Sequence, residues 1–196
     1  MKNPVVIGLV GEKGSGKETV GKLIQEIFDA KDTSHSGSKR KVEHIKFSDL
    51  LKETLDLWSM PATRENLQDL AIIMDQHFGE GTLANAMYHR IQNLEADIVI
   101  LDGIRWDADI VLIKKFKVHY LFYITADLET RFERISKRVE KVGEGKDFKQ
   151  FMKEEKKLNE VNIPRLGAKA DIKIENNAGV AKLKTKVAHA LKELSL

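Results

Sequence analysis

The chain has no cysteine, which excludes disulfides and thiolate metal centres and fits a cytoplasmic protein. It has no run of 18 apolar residues, so no membrane-spanning helix is expected. The N-terminus lacks the basic and apolar regions of a secretory signal, and the first strand begins almost at once. Charge of one sign is lacking too. With 33 basic and 30 acidic side chains the formal charge is +3. That is too mild to argue for nucleic acid as a partner, and it suits a cleft that receives polyanionic ligands. There is no internal repeat, low-complexity tract or linker. At 196 residues the chain suits one α/β domain over 1–196, with 42% hydrophobic residues to fill its core.

What is present centres on Val5-Val6-Ile7-Gly8-Leu9-Val10, an apolar and β-branched run that reads as a buried strand. Gly11, Gly14 and Gly16 follow, then Lys17; from Thr19 the apolar residues Val20, Leu23, Ile24, Ile27 and Phe28 fall at helical spacing. A Gly-rich turn between strand and helix lets successive backbone N–H groups face one concavity, and the helix adds the positive end of its dipole. The lysine brings an ammonium to the β- and γ-phosphates. Gly11, Gly16 and Lys17 meet the spacing of a phosphate-binding loop that also contains Ser15. The position after the lysine departs from it: Glu18 stands where a Ser or Thr hydroxyl helps to hold Mg²⁺, and Thr19 comes one residue late.

A polar, basic stretch from Lys31 to Lys41 reads as an exposed loop, and Val42 to Phe47 as the second strand. Ser48 is placed to cap the next helix. Asp49 lies at the mouth of the sheet, where it serves either an acceptor or the helix dipole. Thr63 caps a further helix that carries Arg64 in its first turn, and Gly79-Glu80-Gly81 ends it before another helix from Thr82 to about Glu95. His77 and His89 have no metal-ligand partners at hand; Trp58, Met60, Phe78, Met87 and Tyr88 read as core or pocket wall. The third strand, Asp97 to Asp102, ends in a carboxylate able to serve Mg²⁺, and Arg105 follows, a guanidinium suited to a phosphate. A fourth strand, Val118 to Ile124, leads to a basic helix whose Arg131, Arg134 and Arg138 share a face. The glycines at 143 and 145 and a helix restarting near Asp147 make residues 127–160 a lid, and Pro164 is expected to end it. The fifth strand is Ala170 to Glu175, followed by an Asn176-Asn177 turn and a closing helix. Five strands, each followed by helical material, predict a five-stranded parallel sheet flanked by helices.

Together these residues resemble the P-loop kinases of the nucleoside monophosphate kinase type, with the deoxynucleoside monophosphate kinases, dephospho-CoA kinases and adenylate-kinase-like proteins as nearest kin. The resemblance covers nearly the whole chain. It rests on Gly11–Thr19, Phe47-Ser48-Asp49-Leu50-Leu51-Lys52, Asp102-Gly103-Ile104-Arg105, the lid arginines and Ile174-Glu175-Asn176-Asn177-Ala178-Gly179. It implies a three-layer P-loop fold, with residues 48–95 as a helical acceptor-binding region and 127–160 as the lid. It implies ATP held by Gly11 to Thr19 and Asn177, Mg²⁺ served by Asp102 and Glu18, and a small nucleotide acceptor contacted by Asp49, Lys52, Arg64 and Arg105. The expected reaction is in-line transfer of the γ-phosphoryl group to a (deoxy)nucleoside monophosphate, with Lys17, Asp49, Asp102, Arg131, Arg134 and Arg138 in the machinery. Dephospho-CoA is the alternative acceptor, and a regulatory ATPase the alternative of another class. No nucleic acid or membrane partner is expected, and the protein is expected to act as a monomer or homodimer.

Overall fold

The computed structural model describes residues 3–32, 40–139 and 147–196, without the side chains at 31, 32, 138, 139, 158 and 159. The strands are β1 (Val5–Val10), β2 (Val42–Lys46), β3 (Ile98–Ile104), β4 (His119–Thr125) and β5 (Ile172–Glu175). All pair in parallel, in the order β2-β3-β1-β4-β5. The helices are α1 (Lys17–Asp32), α2 (Phe47–Leu57), α3 (Arg64–Phe78), α4 (Thr82–Gln92), α5 (Asp107–Ile113), α6 (Leu128–Val139), α7 (Phe148–Glu155), α8 (Leu158–Val161), α9 (Ile163–Gly167) and α10 (Val180–Glu193).

A parallel sheet with helices on both faces buries its strands on both sides, which is why β1 and β3 read as continuous apolar runs. Side chains still alternate. Ile7, Leu9, Ile98 and Ile100 meet Leu23, Ile24, Phe28, Leu183 and Val187 of α1 and α10. Val6, Val10, Val99 and Leu101 meet Met87, Ile91, Ile113, Ile163 and Leu166 of α4, α5 and α9. The three helices α2 to α4 fill the β2–β3 connection, and Leu51, Leu55 and Leu70 form a small core of their own there. The order puts β1 between β3 and β4, so the loop after β1 opens at the carboxyl edge, where open sheets bind ligands.

Several expected boundaries move. Lys46 ends β2 and Phe47 begins α2, so Ser48 lies inside the helix and does not cap it. The carboxylate of Asp49 does that work, accepting from the Lys46 N–H at 2.9 Å. Strand β3 runs on to Ile104 through Gly103 at φ +95°, which leaves Asp102 within the strand. Pro164 ends nothing: it sits in the first turn of α9, where its missing N–H would have had no helical partner. Trp58, Met60 and Phe78 are 58%, 45% and 71% exposed, against the expectation of core or pocket wall; they lie in and after α2 and α3, beyond the reach of the main core. Met87 is buried as expected, and His77 and His89 are exposed.

Candidate functional site: a phosphate loop and an adjoining cleft

Gly11 to Gly16 form a tight loop between β1 and α1, closed by the Ser15 N–H donating to the Glu12 carbonyl at 3.1 Å. Its glycines are required by close approach. A Cβ at Gly16, where φ is +100°, would stand 2.4 Å from Asn176 Nδ2, and one at Gly11 would stand 2.1 Å from the Ile124 carbonyl oxygen. Asn176 is 5% exposed and its Nδ2 donates to the Ser15 carbonyl at 2.8 Å. Arg134 adds hydrogen bonds to the Asn176 carbonyl at 2.8 Å and to the Ser15 carbonyl at 3.4 Å. Carbonyls of the loop are thus engaged from outside, in a loop whose strand-to-helix geometry suits an anion.

Lys17 leads α1 and turns its ammonium back to the Gly11 carbonyl at 2.6 Å and the Glu12 carbonyl at 3.1 Å. Burial lowers its pKa, with the charge of Asp102 opposing the shift. Asp102 is 7% exposed, and its Oδ2 lies 4.0 Å from His44 Nε2. Burial lowers the pKa of His44, again against the pull of Asp102. Glu18 is ion-paired to Lys22 at 3.3 Å and Lys46 at 3.6 Å, while Thr19 is half-buried in the first turn of α1. Among the described residues no three acidic or histidine side chains cluster tightly enough to hold a metal unaided. A single buried carboxylate suits Mg²⁺, which keeps water and substrate phosphates as its other ligands. Asp102 offers that, and Glu18 is engaged elsewhere.

Lys17 and Asp102 open onto a cavity of about 600 Å³. Its lining includes charged side chains, Lys13, Lys46, Arg64, Arg105 and Glu160, and apolar ones, Phe47, Leu51, Leu67, Ile72 and Trp106. Arg64 and Arg105, forty residues apart in sequence, meet at one carboxylate: Arg105 donates to Glu160 Oε1 at 2.8 Å, and Arg64 lies 3.7 Å from the same oxygen. Arg64 also donates to Glu154 at 2.7 Å, and Lys13 of the phosphate loop pairs with that same Glu154. Asp49 and Lys52 are outside the cavity lining and 3.5 Å from each other.

Two of the three arginines expected in a lid, Arg131 and Arg134, lie beside the loop. Arg131 is 7% exposed and donates to Glu155 at 2.6 Å, to the Ala126 carbonyl at 3.1 Å and to the Lys13 carbonyl at 3.3 Å. Arg138 lies on α6 and its side chain falls outside the described residues, as do the glycines at 143 and 145 and Lys39. Asn177 accepts from the Asp127 N–H at 2.8 Å and ties the loop after β5 to the start of α6. Its neighbour Asn176 makes the contact with the phosphate loop.

Sequence reasoning missed four acidic residues here. Glu154, Glu155 and Glu160 pair with cations from the phosphate loop, α3, the end of β3 and α6, and no local pattern announces such long-range pairs. The fourth, Asp109, is 3% exposed and lines the cavity. It accepts from the backbone N–H groups of Arg105 and Trp106 at 2.8 and 3.0 Å, which fixes the turn after β3. Burial raises its pKa to about 6, with the two backbone hydrogen bonds opposing. Its third-residue position in α5 was the available signal.

No protein-family model matches the chain. It is 26% identical over 175 residues to a UPF0200 protein of Methanococcus maripaludis, covering 87% of each chain. It is 24% identical to one of Thermococcus sibiricus, covering 98% of this chain and 96% of that one. Among solved structures, shikimate kinase from Bacteroides thetaiotaomicron superposes with a TM-score of 0.61 at 17% identity, over 98% of this chain and 99% of that one. Shikimate kinase from Acinetobacter baumannii in complex with shikimate gives 0.57 at 18%, over 98% and 96%. A gluconokinase from Sinorhizobium meliloti gives 0.53 at 15%, over 99% and 95%. The sheet order, the phosphate loop and these neighbours agree: this chain has the P-loop kinase fold.

Proposed function

We propose that this protein is an ATP-dependent phosphotransferase whose acceptor is a small anionic molecule with an apolar face, a (deoxy)nucleoside monophosphate in the first place. One observation carries the reading: the phosphate-loop lysine and the strand carboxylate Asp102 open into the same cavity as Arg64, Arg105 and an apolar wall with Phe47 and Trp106. The paired guanidiniums suit a phosphate on the acceptor, and the wall suits a flat base.

In the proposed reaction an acceptor oxygen attacks the γ-phosphorus of ATP, the bond to the bridging β–γ oxygen breaks, and ADP leaves. The transition state spreads negative charge over oxygens, so the protein's part is positioning and charge neutralisation. Loop N–H groups and Lys17 hold the β- and γ-phosphates, Arg131 and Arg134 keep the loop in shape, and Arg64 and Arg105 orient the acceptor. Mg²⁺, served by Asp102, would neutralise charge between the phosphates. A phosphate acceptor needs no general base. Asp49, engaged as a helix cap and absent from the cavity lining, favours that case over a hydroxyl acceptor, although the kinases of similar fold named above include shikimate kinase. Residues 48–95 form the acceptor side in this reading, and 127–160 the cover over the phosphates.

The test is ADP release from ATP and Mg²⁺ against nucleoside monophosphates, deoxynucleoside monophosphates, dephospho-CoA, shikimate and gluconate. Strong stimulation by one nucleotide supports the reading and names the acceptor. Stimulation by dephospho-CoA or by a sugar acid moves the acceptor class and keeps the phosphotransferase. Slow release indifferent to every acceptor replaces it with a regulatory ATPase.

A further inference from the structure

Glu160, on the short helix α8, faces two groups far from it in sequence, Arg105 and Arg64. Its side chain is 3% exposed and lines the cavity. One oxygen, Oε1, takes the guanidinium of Arg105 at 2.8 Å and faces that of Arg64 at 3.7 Å. The other, Oε2, is buried and meets no donor among the described residues. A carboxylate oxygen can only accept, and one left dry without a donor is a costly arrangement in a folded protein. Other cations of the cavity are engaged elsewhere: Lys13 with Glu154, which also takes one nitrogen of Arg64, and Lys17 with the loop carbonyls. Glu160 itself lines the cleft, so its carboxyl needs only a small rotation to offer that oxygen to a ligand.

We propose that Glu160 contacts the acceptor, and that the acceptor therefore carries a hydrogen-bond donor, a hydroxyl or an amino group, next to the anionic group received by Arg64 and Arg105. This deepens the acceptor assignment above and rests on it. The carboxylate sets a selection by two opposite effects. A ligand whose only polar atoms are acceptor oxygens, such as the methyl phosphate dianion, meets a negative carboxylate beside the two arginines. A ligand that pairs its anion with a nearby donor finds an acceptor in the Glu160 carboxylate. A nucleoside monophosphate fits this description, with ribose hydroxyls close to its phosphate, and so do smaller phosphate esters.

The probes are methyl phosphate, glycerol 3-phosphate and phosphoethanolamine, alongside a nucleoside monophosphate, each titrated into the full-length protein without ATP. The readout is the fluorescence of Trp106, which lines the cavity. The wild type is expected to bind at least one of the two donor-bearing esters about tenfold more tightly than methyl phosphate, the size expected for a hydrogen bond to a charged group. Which of them gains names the donor. Glu160→Gln sharpens this by simple geometry. Guanidiniums offer only N–H groups, so the amide oxygen must stay on the arginines and the amide NH₂ must face the ligand. A hydroxyl can accept from that NH₂, so glycerol 3-phosphate keeps part of its advantage; an ammonium cannot, so phosphoethanolamine loses its own.

Equal binding of the three esters by the wild type overturns the proposal, and so does an unchanged order in Glu160→Gln. Should that variant fail to unfold cooperatively on heating, the wild-type series alone decides. If the esters keep the expected order while nucleotides neither bind nor stimulate ADP release, the nucleotide assignment falls and the Glu160 contact stands. If nucleotides stimulate ADP release while the esters bind alike, the reverse holds.

Discussion

The two walls of the cleft are built on opposite plans. The phosphate-loop wall uses contiguous residues, Gly11 to Lys17, and is shaped by backbone: glycines at φ +80° and +100°, and side chains bonded to its carbonyls. The other side uses single side chains gathered from distant places, Arg64, Arg105 and Glu160, held by charge. Backbone geometry is stiff and local, so a motif can encode it in seven residues. A cluster of charges is set by where helices land, so it can be tuned to an acceptor without touching the loop. In the proposed function the first receives the triphosphate and the second the acceptor.

That contrast can be broken most severely at Lys17. Lys17→Met is expected to cut acceptor-stimulated ADP release by about 10²–10³-fold with the melting midpoint little changed, as for loss of one preorganised group at a site of developing charge. A variant that keeps its rate would remove the phosphate-loop wall from the chemistry.

Gly16→Ala comes next. The residue's φ and the 2.4 Å approach to Asn176 leave no room for a methyl group, so ATP binding should be lost. Stability in urea should fall by about 1–3 kcal/mol, the range for strain at such a backbone position. Gly79→Ala makes a useful comparison: it has a similar φ of +104° but nothing within 4 Å, so it tests strain without the clash.

The third experiment sharpens the other side through Asp109. Its folded pKa of about 6 lies above the ordinary 3.8, so the folded protein binds more protons than the unfolded chain between those values. Stability therefore falls as pH rises from about 4 to about 6, by something on the order of 2–3 kcal/mol from this one group. Asp109→Asn keeps an oxygen for the two backbone N–H groups and removes the titration. The difference in urea stability between variant and wild type should grow in the variant's favour across that window; a flat difference would remove Asp109 as its source.

The smallest effect is expected at Glu154, which joins the walls by pairing with Lys13 of one and Arg64 of the other. Glu154→Gln should lower the melting midpoint and strengthen ATP binding about threefold, because two cations no longer have a competing carboxylate. Weaker ATP binding would show that the pairs hold those cations where the nucleotide needs them.

Legibility in the sequence follows the same division. The phosphate loop, the parallel sheet and the helical β2–β3 connection were all readable, because apolar runs and glycine spacing act over a few residues. Thr63 was readable as a helix cap, and its hydroxyl accepts from the Asn66 N–H at 3.1 Å. Ser48 was not, since Phe47 carries enough apolar burial to start the helix one residue early and hand the cap to Asp49. The contact of Asn176 with Ser15 was not readable, since it depends on β5 pairing beside β4 and bringing residues 161 apart together.

By itself the sequence determined that this chain has an anion-binding loop on a parallel α/β sheet, because that geometry depends on φ angles and hydrophobic alternation that neighbouring residues control. Only the tertiary structure decided what gathers beside the loop. Glu160 meets Arg105 across 55 residues and Glu154 meets Arg64 across 90. Such pairs come from helices packing on a finished core, and charged residues on a helix look alike in sequence whether they end in solvent or in a cleft.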